Sequence, residues 1–299
     1  MPELSRVQGS TPLRFGIVGL SAGNGHPYSW AAILNGYDPM AMRLCPFPVI
    51  PAYLAEHEIY PGSLGAVVSH VWCPRLEDAE EIARAAKIPV VSKSLEDLVA
   101  EVDGVLHARD DYENHSKFAK EYTSARTPVY IDKPLAVTLR EAEEIFSMDP
   151  RGEMIFTCSA LRFSPEIDAS LNSKSEEVMK VSAIGPKDWR KYGIHLIEPA
   201  LLLARPVGSP SRVSIESTGM SRRVKYSWAA GQSISVETTG RTDTAFKLEI
   251  DGRSMALTNT FEAFRRALGE FVKFCRSREL QISRSSTLQV VDLIERGDR

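Results

Sequence analysis

Residues 129–136, Val-Tyr-Ile-Asp-Lys-Pro-Leu-Ala, form a short apolar stretch that runs into an acid, a lysine and a proline. The apolar residues predict a strand. Pro134, which has no N–H and a fixed φ, predicts that the strand stops there. Lys133 is therefore expected at the carboxyl edge of a sheet, where open α/β sheets bind their ligands. A lysine in that place can donate a proton or hold an anion, although a solvated lysine at a strand end is the simpler interpretation.

Segments with strand and helix patterns alternate on either side of this stretch. Short apolar runs bounded by glycine or proline are typical of buried strands, and amphipathic segments with acidic starts are typical of helices. The alternation predicts an α/β domain over residues 1–150, a Rossmann-type doubly wound parallel sheet with helices on both faces. The predicted strands cover residues 13–20, 66–73, 88–91, 103–108 and 129–131, and the predicted helices cover 26–36, 76–86, 94–99 (capped by Ser94), 116–125 and 139–146.

Residues 37–65 do not fit the alternation, because prolines and glycines interrupt them repeatedly. We interpret them as an insertion between the first helix and the second strand, with one or two helical turns at 52–58. Such a segment could cap a ligand site, or it could be a packed surface excursion.

The second half changes character and is rich in strand-like segments. Gly231-Gln232 and Asp251-Gly252 are typical of hairpin turns. They predict an α+β domain over residues 151–299, with a largely antiparallel open sheet that binds substrate. A sheet with one free face often pairs with another copy, so we expect a homodimer or homotetramer through this sheet. The predicted strands cover 153–160, 178–184, 213–218, 225–230, 233–239, 245–250 and 253–257, and the predicted helices cover 193–204, 262–276 and 285–294.

Composition excludes several classes of function. The net charge of −3 and the pI of about 6.1 give no electrostatic case for nucleic acid or an anionic membrane. We expect no membrane partner, since no apolar run reaches the length of a transmembrane helix and residues 1–6 lack a signal-peptide pattern. The four cysteines are isolated, which indicates a reducing cytoplasm. The six histidines are not spaced with acids as metal ligands are, so we expect no metal site.

The loop after the first strand has the composition of a phosphate-binding turn. It joins a strand to a helix, which is the geometry that presents backbone N–H groups to a phosphate. A strict Gly-x-Gly-x-x-Gly motif would start at Gly19 but would need glycines in place of Ser21 and Asn24. We predict cofactor contacts for Gly19, Ser21, Asn24, Gly25 and His26; a tight strand-to-helix turn is the structural alternative.

Two other strand ends are expected to face the cofactor. The strand at 66–73 ends without the acid that usually holds the ribose of NAD, and Arg75 follows it. This favours NADP over NAD. Asp110 and His115 follow the strand at 103–108 and are predicted to contact the cofactor, although a histidine at a helix start is more often a cap or a surface group.

Residues 189–199, Trp-Arg-Lys-Tyr-Gly-Ile-His-Leu-Ile-Glu-Pro, are the second chemical candidate. Lys191 and His195 are four residues apart, so they would share a face of a helix, and Tyr192 is close to both. Histidine titrates near neutral pH, as a general base should. The alternative is a histidine that faces the core and has a hydrogen-bond partner there.

These features stand in a fixed order: the glycine-containing turn, then Asp132-Lys133-Pro134, then a histidine at the start of a helix. From about Arg14 to the last helix, the chain resembles the Gfo/Idh/MocA family of NAD(P)-dependent sugar and inositol oxidoreductases. Asp-Lys-Pro is a conservative variant of the family's Glu-Lys-Pro. Arg162-Phe163 is similar to its arginine-aromatic pair.

The resemblance implies that a hydride passes between nicotinamide and a hydroxyl or keto carbon of a sugar, a cyclitol or a sugar derivative. Lys133 would lie between nicotinamide and substrate, and His195 would transfer the proton. The family commonly has an aspartate where this chain has Lys191, and the nearest acid upstream is Asp188. A catalytic set of Lys133, Lys191 and His195 would favour an anionic or phosphorylated substrate. The resemblance also implies that Pro134 contacts the cofactor and that Arg162, Lys191 and Tyr192 contact the substrate.

Two alternatives remain open. The first is an NAD-dependent glycosidase of the same family, which cleaves by transient oxidation and elimination. The second is a non-catalytic dinucleotide sensor, which would need neither Lys133 nor His195.

Overall fold

The computed structural model describes residues 11–173 and 177–299. The expectation about a signal pattern at residues 1–6 concerns residues outside this range. No helix in the described residues combines the length and the apolar character that a bilayer span needs.

The first sheet has six parallel strands in the order β3-β2-β1-β4-β5-β6. This is the Rossmann order, and the strand order reverses between β1 and β4, which is where such sheets bind ligands. The parallel doubly wound domain predicted from the sequence is confirmed. Its strands are β1 Leu13–Val18, β2 Ala66–Trp72, β3 Val90–Val91, β4 Gly104–His107, β5 Val129–Ile131 and β6 Ile155–Phe156.

Helices cover both faces of this sheet, and side-chain caps fix where several of them begin. Ser94 accepts a hydrogen bond from the N–H of Asp97, as the sequence predicted, and Thr138 accepts one from Glu141. The helices are α1 His26–Asn35, α2 Pro39–Met42, α3 Val49–Ala55, α4 Leu76–Ala85, α5 Leu95–Ala100, α6 His115–Ser124 and α7 Leu139–Ser147, with a 3₁₀ turn at Tyr112–Asn114 before α6.

The assignment of residues 153–160 to the second sheet is wrong. Only Ile155–Phe156 forms a strand, and it pairs in parallel with β5 of the first sheet. Aromatic packing explains this placement, since the ring of Phe156 lies 4.8 Å from that of Tyr130 and 5.8 Å from that of Phe271. The helix Thr260–Ser277, which carries Phe271, packs against the same core. The division of the chain at residue 150 therefore stays a prediction.

The second sheet has the order β12-β11-β7-β10-β9-β8 and is antiparallel except for the parallel pair β7–β10. The predicted turn at Asp251-Gly252 joins β11 to β12, with both residues at positive φ. The elements are β7 Lys180–Gly185, β8 Arg212–Thr218, β9 Ser221–Ser227, β10 Ser233–Thr238, β11 Lys247–Ile250 and β12 Arg253–Ala256, with helices α8 Pro165–Ser173, α9 Trp189–Tyr192, α10 Ile194–Ala204, α11 Thr260–Ser277 and α12 Arg284–Asp298 and a 3₁₀ turn at Ala160–Phe163.

Aromatic stacking holds the end of β5 in place. Tyr130 is 1% exposed, and its ring stacks on that of Trp30 in α1 at 4.8 Å. Burying each of these rings contributes about 2–3 kcal/mol. The strand therefore ends at a fixed point, and Asp132 and Lys133 follow it directly.

The 37–65 segment folds back along α1 toward the loop at residues 19–25, between β1 and α1, which we call the phosphate turn. Its α3 starts at Val49, three residues before the helical turn predicted at 52–58. A Cβ atom built on Gly25 would lie 2.4 Å from Ile50 Cδ1 and 2.7 Å from Phe47 Cδ2. The absence of a side chain at Gly25 therefore lets the insertion close over the start of α1.

We predict that Gly25→Ala destabilises the protein by about 1–3 kcal/mol, because the added methyl group overpacks the contact with Phe47 and Ile50. Urea unfolding measures the change. Gly269→Ala is the matched control. Gly269 lies inside α11 with Leu64 Cδ2 as its nearest neighbour at 3.8 Å, so this variant should gain about 0.5–1 kcal/mol from helix propensity. Equal stability of the wild type and Gly25→Ala would contradict the packing described for the insertion.

Candidate active site

A cavity of about 290 Å³ lies where the carboxyl ends of β4 and β5 meet helices of the second half. This size is near the lower end for small-molecule sites. The phosphate turn, the insertion, α9, α10 and α11 each contribute to its wall. Of the residues predicted to form the site, those that line it are Asn24, Gly25, His26, Asp110, Lys133, Tyr192 and His195.

The buried carboxylate of Asp132 joins the phosphate turn to β5. It accepts hydrogen bonds from Asn24 Nδ2 at 2.8 Å, from His26 Nδ1 at 2.6 Å and from the N–H of Lys133 at 2.7 Å. Burial acts to raise the pKa of Asp132, but the charges of His26 and Lys133 and the hydrogen bonds outweigh burial and hold that pKa well below its usual range. Asp132 is therefore a constant negative charge behind the cavity.

Asp110 holds two lysines at the edge of the cavity. Its oxygens lie 4.0 Å from Lys133 Nζ and 3.3 Å from Lys191 Nζ, and Ser21 Oγ donates to it at 2.9 Å. Burial would lower the pKa of Lys191, but the Asp110 carboxylate outweighs it and raises that pKa. Lys191 does not itself line the cavity. Lys191 therefore binds an aspartate supplied by the loop after β4.

His195 lies in the wall of the cavity, at the start of α10. Its Nδ1 is hydrogen-bonded to Ser159 Oγ at 2.7 Å, and its ring centroid is 5.4 Å from that of Tyr192. Burial, and next the charge of Lys133, hold the pKa of His195 well below its usual value. The imidazole is therefore neutral near pH 7.

Arg162 makes a buried ion pair and does not line the cavity. Its Nη1 donates to Glu198 Oε1 at 2.5 Å, and the other oxygen of Glu198 accepts from the N–H of Ser159 at 2.6 Å. The ion pair thus fixes the position of Ser159, whose hydroxyl is hydrogen-bonded to His195. Contact between Arg162 and substrate stays a prediction.

His115 bridges two loops. One ring nitrogen lies 3.0 Å from the carbonyl oxygen of Leu135 and the other 2.9 Å from that of Arg109. The ring is fully buried and does not line the cavity. His115 therefore holds the segments after β4 and β5 together, and its predicted cofactor contact has no support from this placement.

Gly19 and Pro134 also lie outside the lining. The N–H of Gly19 donates to the carbonyl of Trp72, and a Cβ atom at Gly19 would lie 2.5 Å from Pro27 Cγ. Gly19 thus permits the close approach of α1 to β1. Pro134 follows Lys133 directly in the buried segment after β5.

The phosphate turn has features that fit a dinucleotide. Ser21 to Asn24 forms a tight turn with Gly23 at positive φ, and the N–H groups of Ala22 and Gly23 have no partner in the described residues. Both residues are exposed, so these N–H groups can bind phosphate oxygens. The N–H of His26 is different, because Asn24 Oδ1 already accepts from it.

Arg75 lies at the carboxyl end of β2, where the sequence placed it. Its side chain is 72% exposed, and its ion pairs with described residues are long, 3.8 Å to Glu77 and 4.0 Å to Asp78. Such pairs at the surface contribute little, so the guanidinium can turn toward a ligand.

Several residues of the lining were not predicted from the sequence. Lys187 follows β7 in an irregular connection, and the only sequence signal for it is its proximity to 189–199. The insertion, α1, α11 and the connection before β11 supply the others, and a cap formed by the insertion was one of the two interpretations given above. These residues include Ser29, Phe47, Ile50, Tyr53, Phe246 and Phe264.

The chain is similar to a curated protein of Salmonella typhimurium, YceM, which is named as an oxidoreductase. The two are 27% identical over 158 residues, which is 49% of this chain and 50% of YceM. The match thus spans about half the length of that relative.

Solved structures cover nearly the whole chain. Myo-inositol 2-dehydrogenase from Lactobacillus plantarum has a TM-score of 0.73 at 11% identity, over 96% of each chain. UDP-N-acetylglucosamine 3-dehydrogenase from Acidithiobacillus ferrooxidans has a TM-score of 0.72 at 15% identity, over 95% of this chain and 96% of that one. At these identities the likeness shows a shared fold.

The match to a family model covers the first sheet, together with the turn after β1 and Lys133. Residues 13–157 match the model of the Gfo/Idh/MocA oxidoreductase family, described as an NAD-binding Rossmann fold. This match covers just under half of the chain, and over these residues the chain is similar to the NAD-binding part of that oxidoreductase family.

Proposed function

We propose that the protein is an NAD(P)-dependent dehydrogenase or reductase that acts on a CH–OH or keto carbon of a sugar, a cyclitol or a derivative of these. One observation carries the proposal. Lys133, at the end of a Rossmann strand, and His195, at the start of a helix in the second half, line the same cavity as the phosphate turn. Nucleotide, proton donor and proton acceptor would thus meet at one place.

The bound nicotinamide would supply the site that accepts or gives a hydride. The free N–H groups of Ala22 and Gly23 would hold the pyrophosphate, and Asn24 and His26 would line the path from it to the cavity. Asp132 would keep these groups in place without touching the ligand.

In the direction of oxidation, the neutral imidazole of His195 would take the hydroxyl proton. Its Nδ1 is already bonded to Ser159, so Nε2 is the nitrogen left for substrate. Lys133 Nζ would donate a hydrogen bond to the same oxygen and stabilise its developing negative charge. Asp110 would hold the ammonium group of Lys133 in position and connect it to the partly exposed Lys191.

Two observations support a polyhydroxy substrate. Two structural neighbours are named as a myo-inositol 2-dehydrogenase and a UDP-N-acetylglucosamine 3-dehydrogenase. Both names refer to substrates that contain a ring with several hydroxyl groups. In the cavity, the hydroxyls of Ser29 and Tyr53 lie in the wall close to each other. Each could exchange hydrogen bonds with a substrate hydroxyl.

We predict that His195→Asn lowers kcat by about 10²–10⁴-fold, because it removes the proton acceptor while the amide can still bond to Ser159. Affinity for NADPH, measured by fluorescence titration, should not change. The pH profile of the wild type should show no limb from His195 near pH 6.5, since burial holds its pKa well below that value.

His57→Asn is the control for this experiment. His57 stacks on Phe261 at 4.1 Å and does not line the cavity, so both kcat and nucleotide affinity should be retained. If His195→Asn lost nucleotide binding together with turnover, His195 would have a structural role.

We propose that NADP is preferred over NAD, with Arg75 binding the 2′-phosphate. One structural neighbour, from Desulfitobacterium hafniense, is named as NADPH-dependent. Arg75→Ala is predicted to weaken NADPH binding about tenfold and to leave NADH binding unchanged, because only NADPH has the phosphate. The control is Arg84→Ala. Arg84 is exposed and lies in the last turn of α4, the helix that begins directly after Arg75. An equal effect on both nucleotides would remove this role from Arg75.

We also propose that the protein is cytoplasmic and assembles as a homodimer or homotetramer through the second sheet. All four cysteines are free and buried, which suits a reducing compartment. In β10, Ile234 and Val236 face the core while Ser235 and Glu237 face outward, so the outer face is left for a partner. Sedimentation of the purified protein measures the assembly, and a monomer would contradict it.

A further inference from the structure

Lys187 is fixed in the cavity wall by its backbone. Its φ is 58°, in the left-handed region that non-glycine residues seldom adopt. The N–H of Lys187 donates to the carbonyl of Arg241 at 2.7 Å, and its own carbonyl accepts from Gly240 at 2.9 Å. These bonds join the end of β7 to the connection between β10 and β11. The half-buried side chain then lies along the cavity.

The ammonium group of Lys187 has a tyrosine as its partner and no carboxylate. Its Nζ donates to the hydroxyl of Tyr192 and lies 4.5 Å from the centre of that ring. Across residues 11–173 and 177–299, no acidic side chain makes an ion pair with it. Asp188, next in the chain, instead accepts from the N–H of Lys191 at 2.9 Å.

The cavity therefore has an excess of positive charge. Among the described residues that line the cavity, Asp110 is the only acidic one. Lys133 and Lys191 share its carboxylate. Within the described ranges, Lys187 has no carboxylate as a counter-charge. Because Asp110 neutralises Lys191, the cation available to an anionic ligand is Lys187.

We propose that the substrate is an anionic sugar derivative whose carboxylate or phosphate binds Lys187 Nζ and the Tyr192 hydroxyl. The inference rests on the proposed function and specifies its substrate class. Tyr192 accepts from Lys187, so its own O–H proton is free to be donated to the anion. The Tyr192 ring is also 5.4 Å from that of His195, so an anion held there would leave the sugar carbons beside His195 and Lys133.

The electrostatics of the site support the same placement. The charge of Lys187 contributes to lowering the pKa of His195, after burial and the charges of Lys133 and His26. A bound anion would offset this contribution and favour the protonated imidazole that forms when His195 takes the substrate proton. Binding and proton transfer would then reinforce each other.

The test is calorimetric titration of the full chain, saturated with NADPH, with D-gluconate, D-glucose 6-phosphate and neutral D-glucitol. At least one of the two anions should bind about tenfold more tightly than glucitol, since a hydrogen bond to a charged group contributes about that factor. Stronger binding of gluconate would identify a carboxylate, and stronger binding of the sugar phosphate would identify a phosphate. The preference should weaken as salt is added.

Variants of Lys187 separate charge from fold. Lys187→Gln should remove the preference for the anion and leave affinity for NADPH and glucitol unchanged, while Lys187→Arg should retain the preference. Lys225→Gln, which removes the same charge from an exposed position on β9, is the control and should have no effect.

Three outcomes would overturn the inference: glucitol binding as tightly as both anions, a preference that survives in Lys187→Gln, or no binding of either anion. Failure of the protein to bind NADPH would count against the proposed function instead. The same titrations on nucleotide-free protein would still decide whether Lys187 binds an anion.

Discussion

The cavity depends on the hydrogen bonds that the buried carboxylate of Asp132 accepts. A charge in the protein interior is tolerated only where partners surround it, and Asp132 takes those partners from Asn24, His26 and the N–H of Lys133. The phosphate turn, the start of α1 and the end of β5 are thereby held together by one side chain. Where these three meet, Lys133 enters the cavity.

The second half of the chain completes the cleft by supplying His195, Tyr192 and Lys187 from the connections that follow β7. A second aspartate, Asp110, reaches across from β4 to Lys191 in α9. Each carboxylate has a distinct place, with Asp132 behind the cavity and Asp110 at its edge. Among the described residues, Lys187 is then the cation of the cavity wall that no carboxylate neutralises, and the proposed specificity follows from this imbalance.

The sequence was sufficient for the elements whose pattern is local. Strand and helix periods gave the Rossmann half and most of the second sheet, and the Asp-Lys-Pro segment gave the position of Lys133. The sequence was insufficient where contacts between residues far apart in the chain decide the position of a segment or side chain. Ile155–Phe156 joins the first sheet because of its aromatic neighbours. His115 is held between two backbone carbonyls, and Lys187 reaches the cavity from an irregular connection. No local pattern contains these pairings.

The most direct test of the central claim is a crystal structure of the protein with NADPH. The account predicts that the nicotinamide ring occupies the cavity between Lys133 and His195, with the pyrophosphate on the N–H groups of Ala22 and Gly23. Binding of the nucleotide along another surface, or with its nicotinamide ring outside this cavity, would contradict the claim that Lys133 and His195 act on one substrate.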